Sequence, residues 1–297
     1  MNLFWNSPII DQGKLSAMIR YHALNGQLTE AAHTSLHVSD LAILRGYGIF
    51  DFFLVREGKP LFIEDYLDRF FRSAALMELD LPVSRENLHE TILQVIAANS
   101  LWRGAIRLLA TGGYAEDSFT PVSPNWLVLA HPYKNYGEEA YANGVKLLLH
   151  QFQRELPLAK SINYARAIRL QKEIREAGAF EALYHNGAEV LESFRSNVFF
   201  VFDGPVLATP SENILLGVTR KHILKMAPAL LPTEVRRIGL EEIGKAKEAF
   251  LTGSNKAILP VVQIGDQVIG DGKVGPVTRQ LMEKWEEYVG NYVDRLL

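Results

Sequence analysis

The spacing of apolar and polar positions divides this chain into short strands and a few amphipathic helices. Met18 to Asn25 reads as a strand running into Asn25-Gly26, a dipeptide suited to a tight hairpin because both residues tolerate positive φ. Ile49 to Val55 reads as a buried strand, Glu57-Gly58 as a turn and Lys59 to Ile63 as the returning strand. From Asp65 to Met77 the period lengthens. Leu67, Phe70, Phe71, Ala74 and Ala75 recur at helical spacing, and a second helix is predicted over Arg85 to Asn99. Strands follow at Ala105 to Ala110 and Trp126 to His131. The Gly/Pro-containing loop between them, Thr111 to Asn125, has the length of a functional or mobile segment.

Between Pro132 and Asn143 the sequence turns polar and rich in Tyr and Glu, which predicts a linker at 133–143 between domains spanning 1–132 and 144–297. The second half opens on a strand, Val145 to His150. It then passes Lys160 and enters a helix near Asn163 whose Ala167, Leu170, Ile174 and Ala177 form one stripe ending at Gly178. A meander follows: Ala182 to Tyr184, Val190 to Leu191, Val198 to Phe202 and Val206 to Ala208, with turns at Asn186-Gly187 and Asp203-Gly204. Val218 to Ala227 reads as a helix, and a long amphipathic helix is predicted near Val277 to Leu296.

Composition narrows the classes. A chain of 297 residues, 48% hydrophobic and 22% charged, is long enough for two cored domains and too apolar to be disordered. Its 31 basic and 34 acidic residues leave a net charge of -3, so no broad cationic surface is expected for nucleic acid or an anionic membrane. Small-molecule partners are favoured. Without cysteine there is no disulfide, no thiolate nucleophile and no Cys-ligated zinc, and no metal is expected. No apolar run reaches the roughly 18 residues of a membrane span, and Met1 to Pro8 lacks the features of a secretory signal; a cytoplasmic protein is expected.

The candidate chemistry centres on Lys160 and Glu192. A lone lysine is most often a solvated surface residue. Lys160, however, lies between an apolar stretch and a helix start, where an amine can be aimed into a cavity and, when partly buried, attack a carbonyl. Glu192 ends the next strand pair; on its own it reads as a hairpin cap or a partner for Arg195. Together the amine and the carboxylate are what pyridoxal phosphate requires, since its pyridine nitrogen is held protonated by an acidic partner. Gly217-Val218-Thr219 opens a helix whose free N–H groups and dipole suit a phosphate. Leu251 to Asn255, with Thr252 and Ser254, is a second candidate phosphate contact, and Arg69 a third.

These residues fall in a recognisable order. Lys160-Ser161-x-Asn163-Tyr164, Glu181-Ala182-Leu183, Glu192-x-x-x-Ser196-Asn197-x-Phe199, Thr209-Pro210 and Leu216-Gly217-Val218-Thr219-Arg220 resemble the class IV, fold-type IV pyridoxal-phosphate enzymes. That family holds branched-chain aminotransferases, D-amino acid aminotransferases and aminodeoxychorismate lyases. In the first half, Arg45-Gly46-Tyr47-Gly48-Ile49-Phe50-Asp51 resembles its glycine-rich strand entry and Leu67-x-Arg69-Phe70-x-x-Ser73-Ala74 its phosphate-arginine helix, so the likeness runs from about Met18 to the C-terminus. The resemblance implies a two-domain α/β (α+β) fold with a smaller N-terminal α/β domain and a larger C-terminal pseudo-barrel. It implies pyridoxal 5'-phosphate as cofactor and ping-pong transfer between an amino acid and a 2-oxo acid. Lys160 resembles the Schiff-base lysine and proton shuttle, Glu192 the pyridine-nitrogen partner and Tyr164 the residue bonding the cofactor's ring oxygen. Arg69, Val218, Thr219 and Ser254 resemble phosphate ligands, and Leu216 a residue packed on the ring. Asn197 would orient groups near the ring. For Leu216 and Asn197, core packing and turn hydrogen bonding stand as equal alternatives.

On the substrate side the chain departs from its relatives. Branched-chain enzymes generally carry an aromatic residue before the glycine matching Gly46, whereas this chain has Arg45, a fixed cation able to bind a carboxylate bidentately. Arg107 resembles a substrate-side arginine, and Arg195 follows Glu192 closely. The usual Arg-x-His of D-amino acid enzymes is replaced by Ala110-Thr111-Gly112-Gly113. The set looks most similar to D-amino acid transaminases with a different carboxylate trap, acting with 2-oxoglutarate or pyruvate; a branched-chain L-amino acid aminotransferase and aminodeoxychorismate lyase are the alternatives. The resemblance also implies a homodimer, with the arginines acting within or across subunits.

Overall fold

The computed structural model describes residues 19–134 and 136–296. The chain divides into two compact units, with the boundary after Lys134. Met18 and the residues before it lie outside the described residues.

The first unit is a six-stranded antiparallel sheet with two helices against one face. Its strands are β1 (Tyr21–Leu24), β2 (Gln27–Glu30), β3 (Gly48–Arg56), β4 (Lys59–Pro60), β5 (Arg103–Thr111) and β6 (Trp126–Pro132), in the order β2-β1-β6-β5-β3-β4. The Asn25-Gly26 turn joins β1 to β2 with both residues at positive φ. Along β3 the period of two sends Ile49, Asp51, Phe53 and Val55 into the core, while Phe50, Phe52 and Leu54 line the opposite, partly open face. The helices are α1 (Leu41–Arg45), α2 (Ile63–Leu76) and α3 (Arg85–Ala98). The last two bury Leu67, Phe70, Ala74, Leu88, Ile92 and Val95. Two expectations need correction. The strand expected at Lys59 to Ile63 stops at Pro60, and Phe62, at φ 53, turns the chain straight into α2. Arg45 ends a short helix rather than opening a strand, because Gly46 takes the left-handed conformation that terminates it.

The second unit has helices α4 (Glu138–Asn143), α5 (Ala165–Arg169), α6 (Gln171–Glu176), α7 (Val218–Met226) and α8 (Pro276–Asp294). The segment expected as a linker therefore includes α4. The helix expected from Asn163 starts at Ala165 and is broken at Leu170. The Gln171 side-chain amide donates to the Ala167 carbonyl, the acceptor that Gln171's own N–H would use in a continuous helix. The strands are β7 (Val145–Gln151), β8 (Glu181–His185), β9 (Val190–Ser193), β10 (Asn197–Phe202), β11 (Val206–Pro210), β12 (Thr233–Arg236), β13 (Glu248–Gly253), β14 (Ala257–Ile264) and β15 (Gln267–Val268). Eight of them run β12-β11-β10-β13-β14-β7-β8-β9, with β15 paired to β14. The two ends of this sheet meet: the Val190 N–H donates to the Ile238 carbonyl at 2.9 Å, and Glu189 bridges Gly239 just beyond β12. The curled sheet encloses Leu147, Leu183, Val198, Phe200, Leu251 and Leu259, which is the pseudo-barrel the resemblance implies. Among the described residues no helix is long and apolar enough to cross a membrane.

Candidate active site

Lys160 is half-buried on the loop between β7 and α5, directly after the fully buried Ala159. An arginine on the same loop shapes it. The Arg154 guanidinium donates from Nη1 to the Ala159 carbonyl at 3.0 Å and from Nη2 to the Pro157 carbonyl, and its Nε donates to Glu192 Oε1 at 2.7 Å. The loop is thereby fastened to β9, and Glu192 is near enough to Lys160 to feel its charge. Glu192 Oε2 accepts from the Leu215 N–H at 2.8 Å, while Asn197 Nδ2 donates to the Leu215 carbonyl at 2.8 Å. Both ends of the residue before Leu216 are gripped. Leu216 leaves its side chain 40% exposed, available to pack on a ligand ring.

Gly217 follows with little room: a Cβ there would collide with Asn197 Oδ1. α7 then begins without a side-chain cap, and Val218 and Thr219 are buried in its first turn. An uncapped helix start presents backbone donors and the positive end of the dipole. Thr252, paired with Asn197 in the β10–β13 ladder, adds a buried hydroxyl with no hydrogen-bond partner among the described residues, and Ser254 lies just beyond the strand end. A buried hydroxyl left unsatisfied is costly, so it marks a place for a polar ligand atom. The amine, the carboxylate, the uncapped helix and the orphaned hydroxyl together fit pyridoxal 5'-phosphate.

Two buried carboxylates in this unit behave in opposite ways. Burial pushes the Glu192 carboxyl above its usual range despite Arg154, the Leu215 amide and Lys160. Burial also opposes the charge on Glu181, but Lys256 and Arg195 overcome it and hold that carboxyl below the usual range. Lys256 Nζ lies 2.7 Å from Glu181 Oε1, and Arg195 Nη2 lies 2.8 Å from the same oxygen. Ser193 and Ser196 donate to Glu181 Oε2 at 2.5 and 3.1 Å. Tyr164 feels both carboxylates and both arginines, and burial pushes its hydroxyl up to about 12, so it stays protonated and can donate.

Glu192 therefore pairs with Arg154 and not with Arg195. The register explains this. Leu183 opposes Ser193 across β8 and β9, so Glu181 and Ser193 share one face while Glu192 points to the other, and the turn after Ser193 returns Arg195 to the Glu181 side. Arg154, Glu181 and Lys256 were not singled out as charged site residues by sequence. The faint signals are an arginine six positions before Lys160, an acid opening an apolar strand, and a lysine in Thr252-Gly253-Ser254-Asn255-Lys256.

Three candidates lie in the first unit. Arg69 is buried on α2, donating from Nε and Nη2 to the two oxygens of Asp51 at 2.9 and 2.6 Å. Arg107 is exposed on the open face of the sheet, opposite Phe52 in the ladder and about equally far from the rings of Phe50 and Phe52, at 5.9 and 6.0 Å. Arg45 is exposed at the end of α1, its guanidinium 4.6 Å from the centre of the Phe119 ring. Buried Asp40 sets that position. It caps α1 through the Ala42 N–H and accepts from Thr111 and Asn125, the two ends of the long loop that carries Phe119.

Comparison with known proteins places the chain among related enzymes. The family described as amino-transferase class IV matches residues 48–264. A D-alanine aminotransferase of Staphylococcus haemolyticus is 30% identical over 273 residues, covering 90% of this chain and 96% of that one. Among solved structures, the branched-chain amino acid aminotransferase of Escherichia coli is similar at a TM-score of 0.84 and 26% identity, over 91% of this chain and 94% of that one. The 4-amino-4-deoxychorismate lyase of Pseudomonas aeruginosa is similar at 0.77 and 26% identity, over 90% of this chain and 98% of that one.

Proposed function

The chain belongs to the class IV aminotransferases, and from that premise we propose that it uses pyridoxal 5'-phosphate to move the amino group of a D-amino acid to a 2-oxo acid such as 2-oxoglutarate or pyruvate. The observation that carries the reading is the joint placement of Lys160 and buried Glu192 beside the uncapped start of α7. When bound, the cofactor supplies an electron-poor ring that accepts the electron pair left as the substrate's α-proton departs. The residues do the rest. Lys160 would supply the amine that holds the cofactor and the base that takes the proton from the substrate α-carbon. Glu192 would hold the ring nitrogen protonated. Tyr164, protonated across the working range, would donate to the ring oxygen. Leu216 would pack on the ring, and Asn197 fixes the segment that carries it. The amides of Val218 and Thr219, the hydroxyls of Thr219 and Ser254, and the Arg69 guanidinium are the groups that would hold the phosphate.

Arg45, Arg107 and Arg195 are the proposed substrate-carboxylate residues. Exposed cations at Arg45 and Arg107 suit amino acids and dicarboxylic oxo acids, and the D-alanine aminotransferase relative supports a D-amino donor. The likeness to a branched-chain enzyme of known structure supports an L-branched donor as the second reading. The lyase structure supports aminodeoxychorismate cleavage as the third. We take the working enzyme to be a cytoplasmic homodimer.

A donor panel separates the readings. With no acceptor present, D-alanine or D-glutamate is expected to convert the bound cofactor to its amine form, read by absorbance, while L-leucine leaves it unchanged. Conversion by L-branched substrates alone rejects the Arg45 reasoning. Pyruvate released from aminodeoxychorismate without any acceptor selects the lyase.

A further inference from the structure

We propose that Arg154 is a positioning residue that couples the charge on Glu192 to the placement of Lys160. The proposal rests on the pyridoxal-phosphate reading of this site. A carboxylate that holds a protonated ring nitrogen must itself be ionised, yet a buried carboxyl tends to take up a proton. Arg154 is the cation in contact with Glu192, and the same planar group directs its other donors to the carbonyls of Pro157 and Ala159, the second immediately preceding Lys160. A guanidinium cannot shift toward one of these partners without straining the others, since its donors are fixed in one plane. The loop bearing the nucleophile is thereby indexed to the carboxylate.

Glu192 keeps room for the ring. A carboxylate offers about four lone-pair sites, and contacts from Arg154 and the Leu215 N–H engage each oxygen without exhausting it. Among the described residues, other groups whose charge couples to Glu192 include Lys160 on the loop, Tyr164 just before α5 and Tyr184 on β8. Burial raises both tyrosine hydroxyls to about 12, so neither supplies a charge below that pH. Arg154 is thus a permanent counter-charge in direct contact with Glu192, acting on it more strongly than Lys160 does.

Two substitutions separate the roles. Arg154→Met removes both charge and geometry; Arg154→Lys keeps a charge but loses the fork. In loaded enzyme, Arg154→Met is expected to weaken cofactor affinity by about tenfold to a hundredfold, the scale of one charged hydrogen bond. It should also move the pH midpoint of the bound cofactor's visible absorbance upward, because a ring that loses its proton makes conjugated groups more basic. Arg154→Lys should hold that midpoint near the parent value while kcat falls and KM changes little. An Arg154→Met enzyme with parental affinity and midpoint overturns the proposal, as does an Arg154→Lys enzyme with parental kcat. If Arg154→Met does not fold, Arg154→Lys decides by itself on midpoint and kcat. A parent protein that takes up no cofactor rejects the functional reading, whereas normal loading of the parent with unchanged variants rejects this inference alone.

Discussion

Replacing Lys160 with alanine is expected to abolish transamination while leaving the fold intact. The side chain is half-buried on a loop, and the loop's shape is held by backbone carbonyls of Pro157 and Ala159 bonded to Arg154, none of which involves the lysine amine. Alanine keeps the Cβ and removes only the reactive arm. Two functions disappear at once, the nucleophile and the proton carrier. General acid–base catalysis alone contributes about 10²–10⁴-fold, so a loss of at least about 10⁴-fold is expected when the covalent role goes too. Single-turnover absorbance with the preferred donor measures the chemistry, and thermal unfolding checks the fold. A small primary amine added to the variant should restore part of the proton transfer. A Lys160→Ala enzyme that transaminates at the parental rate removes Lys160 from the mechanism and, with it, the reading built around it.

What made Lys160 legible was local: a short motif on one loop, with Glu192 and Gly217-Val218-Thr219 following in a fixed order. The strands and helices were legible for the same reason, since their periods of two and 3.6 are written in neighbouring residues. Failures came where the outcome depended on tertiary approach or on a single dihedral angle. Nothing in the sequence says that Glu192 meets Arg154 and not Arg195, because that choice follows from the register in which β9 lies on β8. The Lys59 strand ended early for a backbone reason, the positive φ of Phe62, which apolar spacing does not report. Lys256 was hidden by its type. A lysine in a turn rich in Ser and Asn suggests solvent, and only the curl of the sheet brings it against Glu181.

Exchanging Lys256 for methionine is expected to give the largest loss of stability available from one side chain in this site. Lys256 and Glu181 are 1% and 0% exposed at the side chain, 2.7 Å apart, and the ammonium also lies 5.3 Å from the centre of the Tyr136 ring. Methionine fills a similar volume but leaves Glu181 with Arg195, whose side chain is 46% exposed, and two serine hydroxyls. Breaking a buried pair from one side costs about 3–5 kcal/mol, because the remaining charge stays desolvated. For a unit of this size that corresponds to a fall in Tm of about 10 °C. The pH dependence has a definite sign. Glu181 is held below its usual range, so its contribution is complete above the unfolded carboxylate pKa of about 4.3 and fades as pH falls through the folded value. The gap between parent and variant should therefore be widest near neutrality and narrow in acid. Adding Glu181→Gln to Lys256→Met removes the stranded charge and should recover part of the loss, which a double-mutant cycle would measure. A Lys256→Met protein within about 1 kcal/mol of the parent at neutral pH, on the scale of an exposed pair, would mean that Arg195 alone neutralises Glu181.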